Sequence, residues 1–86
     1  MKNDILHILD VEVVKDSILR VEFDDGTVKI VDVGPLLTGP IFKPLKDPVF
    51  FAKVSIDPVA QTVVWPNGAD FAPEALYELK SIVSVA

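Results

Sequence analysis

The chain has 86 residues, half of them hydrophobic, with 13 acidic and 8 basic side chains, a net charge of −5 and no cysteine. This excludes disulfides, thiolate metal sites and cysteine nucleophiles, and it argues against unassisted binding to a phosphate backbone. The length suits one domain, residues 1–86, with one modest core, and no apolar run approaches the ~20 residues that a membrane span needs. Met1-Lys2-Asn3-Asp4 meets an acid at once and lacks a signal-type cleavage site, so a cytoplasmic protein is expected. A domain of this size buries only roughly 60–65% of its surface, so so apolar a chain implies a partner over part of the rest.

All seven prolines fall between Pro35 and Pro73. The first 34 residues should therefore form regular sheet, and the remainder short elements with hard stops. Ile5, His7, Leu9, Val11 and Val13 alternate with Leu6, Ile8, Asp10, Glu12 and Val14, which predicts a strand. Leu19, Val21 and Phe23 alternate with Ile18, Arg20 and Glu22 in a second. A three-residue tip at Lys15-Asp16-Ser17 pairs Val13 with Leu19, Val11 with Val21 and Leu9 with Phe23, and sets Glu12 opposite Arg20.

Asp25-Gly26 signals a two-residue type I′ turn into a third strand. In that register Phe23 faces Val28, Val21 faces Ile30 and Glu22 faces Lys29. A three-residue tip would instead set Val21 against Lys29 and Glu22 against Val28. Like-with-like pairing favours the shorter turn. The predicted product is a three-stranded antiparallel meander with one apolar face.

Asp32 to Leu37 leaves the sheet through a short helical turn that Thr38-Gly39-Pro40 stops, and Ile41 to Leu45 reads as an irregular apolar connector. Asp47-Pro48 reads as an N-cap and first helical proline, opening a helix over Val49–Lys53. Val54–Asp57 and Thr62–Trp65 form a second hairpin around Pro58–Gln61, pairing Ile56 with Val63 and Val54 with Trp65. Pro66 ends the strand, Asn67-Gly68 supplies the positive φ of a tight turn, and Asp70 is placed to accept from N–H groups at a helix start. Ala72, Ala75, Leu76 and Leu79 give one apolar stripe over Ala72–Lys80. Ser81–Ala86 is either more helix or a short tail against a neighbour. The fold class is α+β in the order βββαββα: an antiparallel three-stranded meander plus a second hairpin, with short helices packed on one side.

Phe23-Asp24-Asp25-Gly26, Val31-Asp32-Val33-Gly34-Pro35-Leu36-Leu37, Gly39-Pro40-Ile41-Phe42-Lys43-Pro44-Leu45 and Asp47-Pro48-Val49-Phe50-Phe51 form a recognisable series. It ends in Trp65-Pro66-Asn67-Gly68-Ala69-Asp70, followed by Ala72-Pro73-Glu74 and Leu76-Tyr77, the most specific part. From about Ile8 to Tyr77 the chain resembles the DUF2442 family, small bacterial domains of unknown function. The resemblance implies an α+β domain. In some relatives a helix-turn-helix domain follows, and many look like partners of another small protein, in arrangements reminiscent of toxin–antitoxin pairs. This chain ends before any such second domain, so direct nucleic-acid binding is not expected. The family supplies no catalytic residues to carry over.

No constellation of side chains points to catalysis. His7, the only histidine, shares a face with Leu9 and Val11 and reads as a partly buried structural residue rather than an acid–base catalyst. Ser17, Ser55, Ser81 and Ser84 lie on no nucleophile-elbow motif. Asp32, Asp47 and Asp70 offer oxygen ligands for magnesium, but each adjoins a turn or helix start where capping is the better account. No metal or cofactor is expected. Lys43, Lys46 and Lys53 read as a solvated face.

Two groups of residues remain as candidate sites. Trp65, Phe71 and Tyr77, with Asn67 and Asp70 at the mouth, are placed to line a ligand pocket, against core packing of the aromatics as the plainer account. Val14, Ile18, Arg20 and Val31, with Leu6 and Ile8, form an apolar patch on the sheet's outer face, Val14 facing Ile18 and Val31 facing Arg20. The expectation is a non-enzymatic module that binds a protein partner and forms a homodimer through that patch, with a small-molecule site or weak enzyme at Asn67–Asp70 as the alternative. Gly68→Ala is expected to destabilise more than Gly34→Ala, because positive φ is expected at Gly68.

Overall fold

Leu19, Val21 and Phe23 point every second side chain to one side, and all three are fully buried. They lie on the central strand of a β1–β2–β3 meander, Ile8–Lys15, Ile18–Phe23 and Val28–Asp32, in a computed structural model that describes residues 6–82. Two 3-10 helices follow, Gly34–Leu36 and Pro40–Lys46, then helix α1, Pro48–Phe51. A two-stranded sheet of β4, Ser55–Ile56, and β5, Val63–Val64, precedes helix α2, Pro73–Tyr77. The architecture is α+β, as the strand alternation and proline placement predict.

One core joins these elements. The inner sheet face, with Val31 and Ile8, packs with Leu37, Leu45 and Phe51 from the helical connectors, Val63 and Trp65 from the second hairpin, and Leu76 from α2. Trp65 lies beside Phe51 and edge-on to Phe71, with centroids at 5.4 and 5.8 Å, and its indole N–H donates to the Phe51 carbonyl at 2.9 Å. An indole buried this deeply needs such an acceptor. Asp47 caps α1 as predicted, accepting from the Val49 N–H at 3.0 Å. The second hairpin keeps its predicted register, Ile56 opposite Val63.

The β2–β3 register differs from the prediction. Val21 stands opposite Lys29 and Glu22 opposite Val28, the arrangement of the longer tip. A type I′ turn would need positive φ at both Asp25 and Gly26, and only Gly26 has it, at 89°. The Gly26 N–H instead donates to the Phe23 carbonyl at 3.0 Å and the Phe23 N–H to the Thr27 carbonyl at 2.8 Å, leaving a three-residue tip with Gly26 as the bulge. Lys29 tolerates the inner face because its amine reaches the Tyr77 carbonyl and lies over the Tyr77 ring. Val31 consequently pairs with Leu19 in the core, and Ile30 takes the outer position opposite Arg20.

In the first hairpin Val13–Leu19, Val11–Val21 and Glu12–Arg20 pair as predicted. The extra residue, however, is a bulge at Val14, so that Lys15 closes on Ile18 around Asp16-Ser17. A second irregularity at Leu9 brings Ile8, not Leu9, opposite Phe23, which buries Ile8 and leaves Leu9 exposed. Ile41–Leu45 lies in the second 3-10 helix rather than an irregular connector.

Helix α2 stops at Tyr77, short of Lys80, and Ala72 and Ala75 are exposed. Beyond it the chain runs along the free edge of β3, where the Ile82 N–H donates to the Ile30 carbonyl at 2.7 Å and Ser81 Oγ accepts from the Ile30 N–H at 3.3 Å. Those contacts occupy an otherwise open strand edge. The predicted tail beyond Ile82 lies outside the described residues.

Candidate functional site

The turn from Trp65 to Asp70 is built from strong local preferences, but its side chains serve the fold. The Gly68 N–H donates to the Trp65 carbonyl and the Trp65 N–H to the Ala69 carbonyl, both at 2.9 Å, with Gly68 at φ 89° as expected. Asn67 accepts from the Ala69 N–H at 3.1 Å and donates to the Ile41 carbonyl at 2.9 Å, tying the second 3-10 helix to the turn. Trp65 is buried in the core. Asp70 is exposed and meets Val64 through the backbone, and the N-cap position of α2 is Ala72, so Asp70 does not cap that helix. Tyr77 packs edge-on against Phe23 at 4.9 Å, and its hydroxyl donates to Asp25 at 2.7 Å. Trp65, Asn67 and Asp70 thus belong to this turn, whereas Tyr77 lies on α2 against Phe23 and Asp25.

A cleft that the sequence did not single out lies between the β1–β2 tip and α1. Its volume is about 280 Å³. It is lined by Asp16 and Ser17 of the hairpin tip, Gly34 and Leu37 from the segment after β3, and Leu45, Lys46, Pro48 and Phe51 from the second 3-10 helix and α1. Ser17 Oγ donates to Asp32 Oδ1 at 2.6 Å, and the same oxygen accepts from the Gly34 N–H at 2.8 Å. The Ser17 hydroxyl and then the Gly34 amide hold the Asp32 carboxyl below the usual carboxylate range. Gly34 is confined here: a Cβ would lie 2.9 Å from Ser17 Oγ and 3.0 Å from Asp32 Oδ1. No local pattern marks this cleft, because three separate segments meet to form it.

The outer sheet face carries two further predicted residues. Ile18 and Arg20 are half-buried there, and the Arg20 guanidinium lies 3.7 Å from both Asp10 and Glu12. Val14 is 49% exposed at its bulge. Val31 is fully buried and does not belong to this surface; Ile30 and the exposed Val28 occupy the β3 positions. His7, at the far end, contacts Asp24 at 3.0 Å and is likewise half-buried.

No group of three or more histidine and acidic side chains gathers as a metal site among the described residues, and none of their helices is long and apolar enough to cross a membrane. Comparison with family models matches residues 8–81 to DUF2442, described as a protein of unknown function. Comparisons with curated proteins and with solved structures return no match.

Proposed function

We propose that this chain, which belongs to the DUF2442 family, is a non-enzymatic protein-interaction module of the cytoplasm that docks through the outer face of its β1–β2–β3 sheet. The observation that supports this reading is the composition of that face. Ile18, Ile30 and Val28 lie along β2 and β3, with Arg20 among them and Asp10, Glu12, Glu22 and Asp32 around them. An apolar strip bordered by charge is the usual anatomy of a contact surface, with apolar residues at its centre and a polar rim. Two-fold pairing covers the strip with its own copy, and a small protein partner would compete for it. The family resemblance makes an antitoxin-like component of a two-gene system the natural setting.

Two measurements test this. Light scattering across a concentration range should show mass rising from monomer to dimer, and Ile18→Glu should hold the protein at monomer. Co-expression with the product of the adjacent reading frame should yield a complex that Ile18→Glu weakens. Monomer mass at every concentration, together with no complex, would contradict the proposal.

A further inference from the structure

We infer that the cleft between the β1–β2 tip and α1 binds a small apolar molecule carrying both an ammonium and a carboxylate, of the class of a free hydrophobic amino acid. This site is separate from the outer sheet face and does not depend on the interaction proposed there.

The cavity of about 280 Å³ sits at the small end of ligand pockets, which suits a compact guest. Leu37, Leu45 and Phe51 are buried core residues that also line it, so part of its lining is apolar. The polar lining holds both acceptors and a donor. Asp16, at the hairpin tip with its backbone at φ 46°, is the acidic residue of the lining. Beside it, Ser17 spends its hydroxyl proton on Asp32, so toward the cleft that oxygen has only lone pairs to offer. Both residues are therefore acceptors, the chemistry that receives an ammonium. Lys46, from the second 3-10 helix, is the donor of the lining, the chemistry that receives a carboxylate.

Among the described residues neither Asp16 nor Lys46 is engaged in an ion pair with another side chain. A purely anionic guest would satisfy Lys46 but meet Asp16, and a purely cationic one would leave Lys46 unanswered. A guest with both charges next to an apolar side chain satisfies the acceptors, the donor and the apolar part of the lining. Gly34 leaves room for Ser17, since a Cβ there would press on the Ser17 hydroxyl.

The test is titration of the intact protein with L-phenylalanine, 3-phenylpropionate and phenethylamine, followed by calorimetry and by NMR shifts of Leu37, Leu45 and Phe51. L-phenylalanine should saturate, and each singly charged analogue should bind about tenfold more weakly or worse. Lys46→Met should weaken L-phenylalanine while leaving phenethylamine unchanged. Asp16→Asn should weaken L-phenylalanine while leaving 3-phenylpropionate unchanged. Both residues are exposed, so unaltered thermal midpoints are expected and show that the variants fold. Absence of saturation by L-phenylalanine, equal binding of all three compounds, or shifts confined to other residues would overturn the inference.

Discussion

The turns at Phe23–Thr27 and Trp65–Ala69 are the same structure made twice. In each a buried aromatic opens the turn, a glycine at φ 89° closes it, and the third residue accepts from the backbone N–H two positions on. They differ in what the third residue does with its other polar atom. Asp25 offers a second carboxylate oxygen, which accepts from the Tyr77 hydroxyl and pins α2. Asn67 offers an amide N–H, which donates to the Ile41 carbonyl and pins the second 3-10 helix. The partner decides the residue: a hydroxyl satisfies a carboxylate, whereas a carbonyl needs a donor. One link carries a charge and the other does not.

The largest effects should be shared by both turns. Phe23→Ala and Trp65→Ala each remove a buried aromatic and should cost about 3–5 kcal/mol by chemical denaturation, enough to unfold much of a domain this small. A tolerated Trp65→Ala would contradict the packing around Phe51 and Phe71. Next, Gly26→Ala and Gly68→Ala should each cost about 1 kcal/mol or more, and nearly equally, since neither added Cβ meets anything within 4 Å and only the backbone conformation is strained. Gly34→Ala is a different experiment, because its cost comes from displacing Ser17. Unequal losses at Gly26 and Gly68 would show that the turns are not equivalent.

Exchanging the two side chains should separate the turns. Asn67→Asp sets a carboxylate against the Ile41 carbonyl and should cost about 1 kcal/mol in denaturation. Asp25→Asn should cost less, because the Tyr77 hydroxyl can turn and accept from the new amide. Equal losses would remove the distinction.

The smallest effect is an acid one. The Tyr77 hydroxyl, followed by the Thr27 backbone N–H, lowers the Asp25 carboxyl below its ordinary 3.8. A depressed carboxyl stabilises the fold above its unfolded value, and that contribution is lost as pH falls through the lower folded value. Thermal midpoints followed down through about pH 4 should therefore drop, and Asp25→Asn or Tyr77→Phe should flatten the drop without abolishing it, because Asp32 is lowered by Ser17 and titrates in the same direction. Asn67→Ala should leave the acid slope unchanged.

Features set by neighbouring residues were legible in the sequence. Asp47-Pro48 marked the start of α1, the Ile56–Val63 pairing followed from alternation, and Asn67-Gly68 marked the positive φ. The β2–β3 register was not legible from pair preferences, because Lys29 on the inner face makes sense only once Tyr77 arrives from α2. The cleft was hidden for the same reason: the Ser17–Asp32 bond, and a lining that includes Lys46, exist only after the β1–β2 tip, β3 and the 3-10 helices have packed. The register error also misplaced the surface, moving Val31 outward when Ile30 holds that position.

Register and docking face can be tested together with Ile30→Glu and Val31→Glu, each followed by thermal denaturation and light scattering. Val31→Glu should cost about 3 kcal/mol or more, because it buries a carboxylate in the core. Ile30→Glu should fold with nearly the wild-type midpoint and, on the docking proposed above, stay a monomer at concentrations where the wild type is expected to pair. The opposite assignment, with Ile30→Glu unfolding the protein and Val31→Glu tolerated, would contradict both the three-residue turn and the surface that it sets.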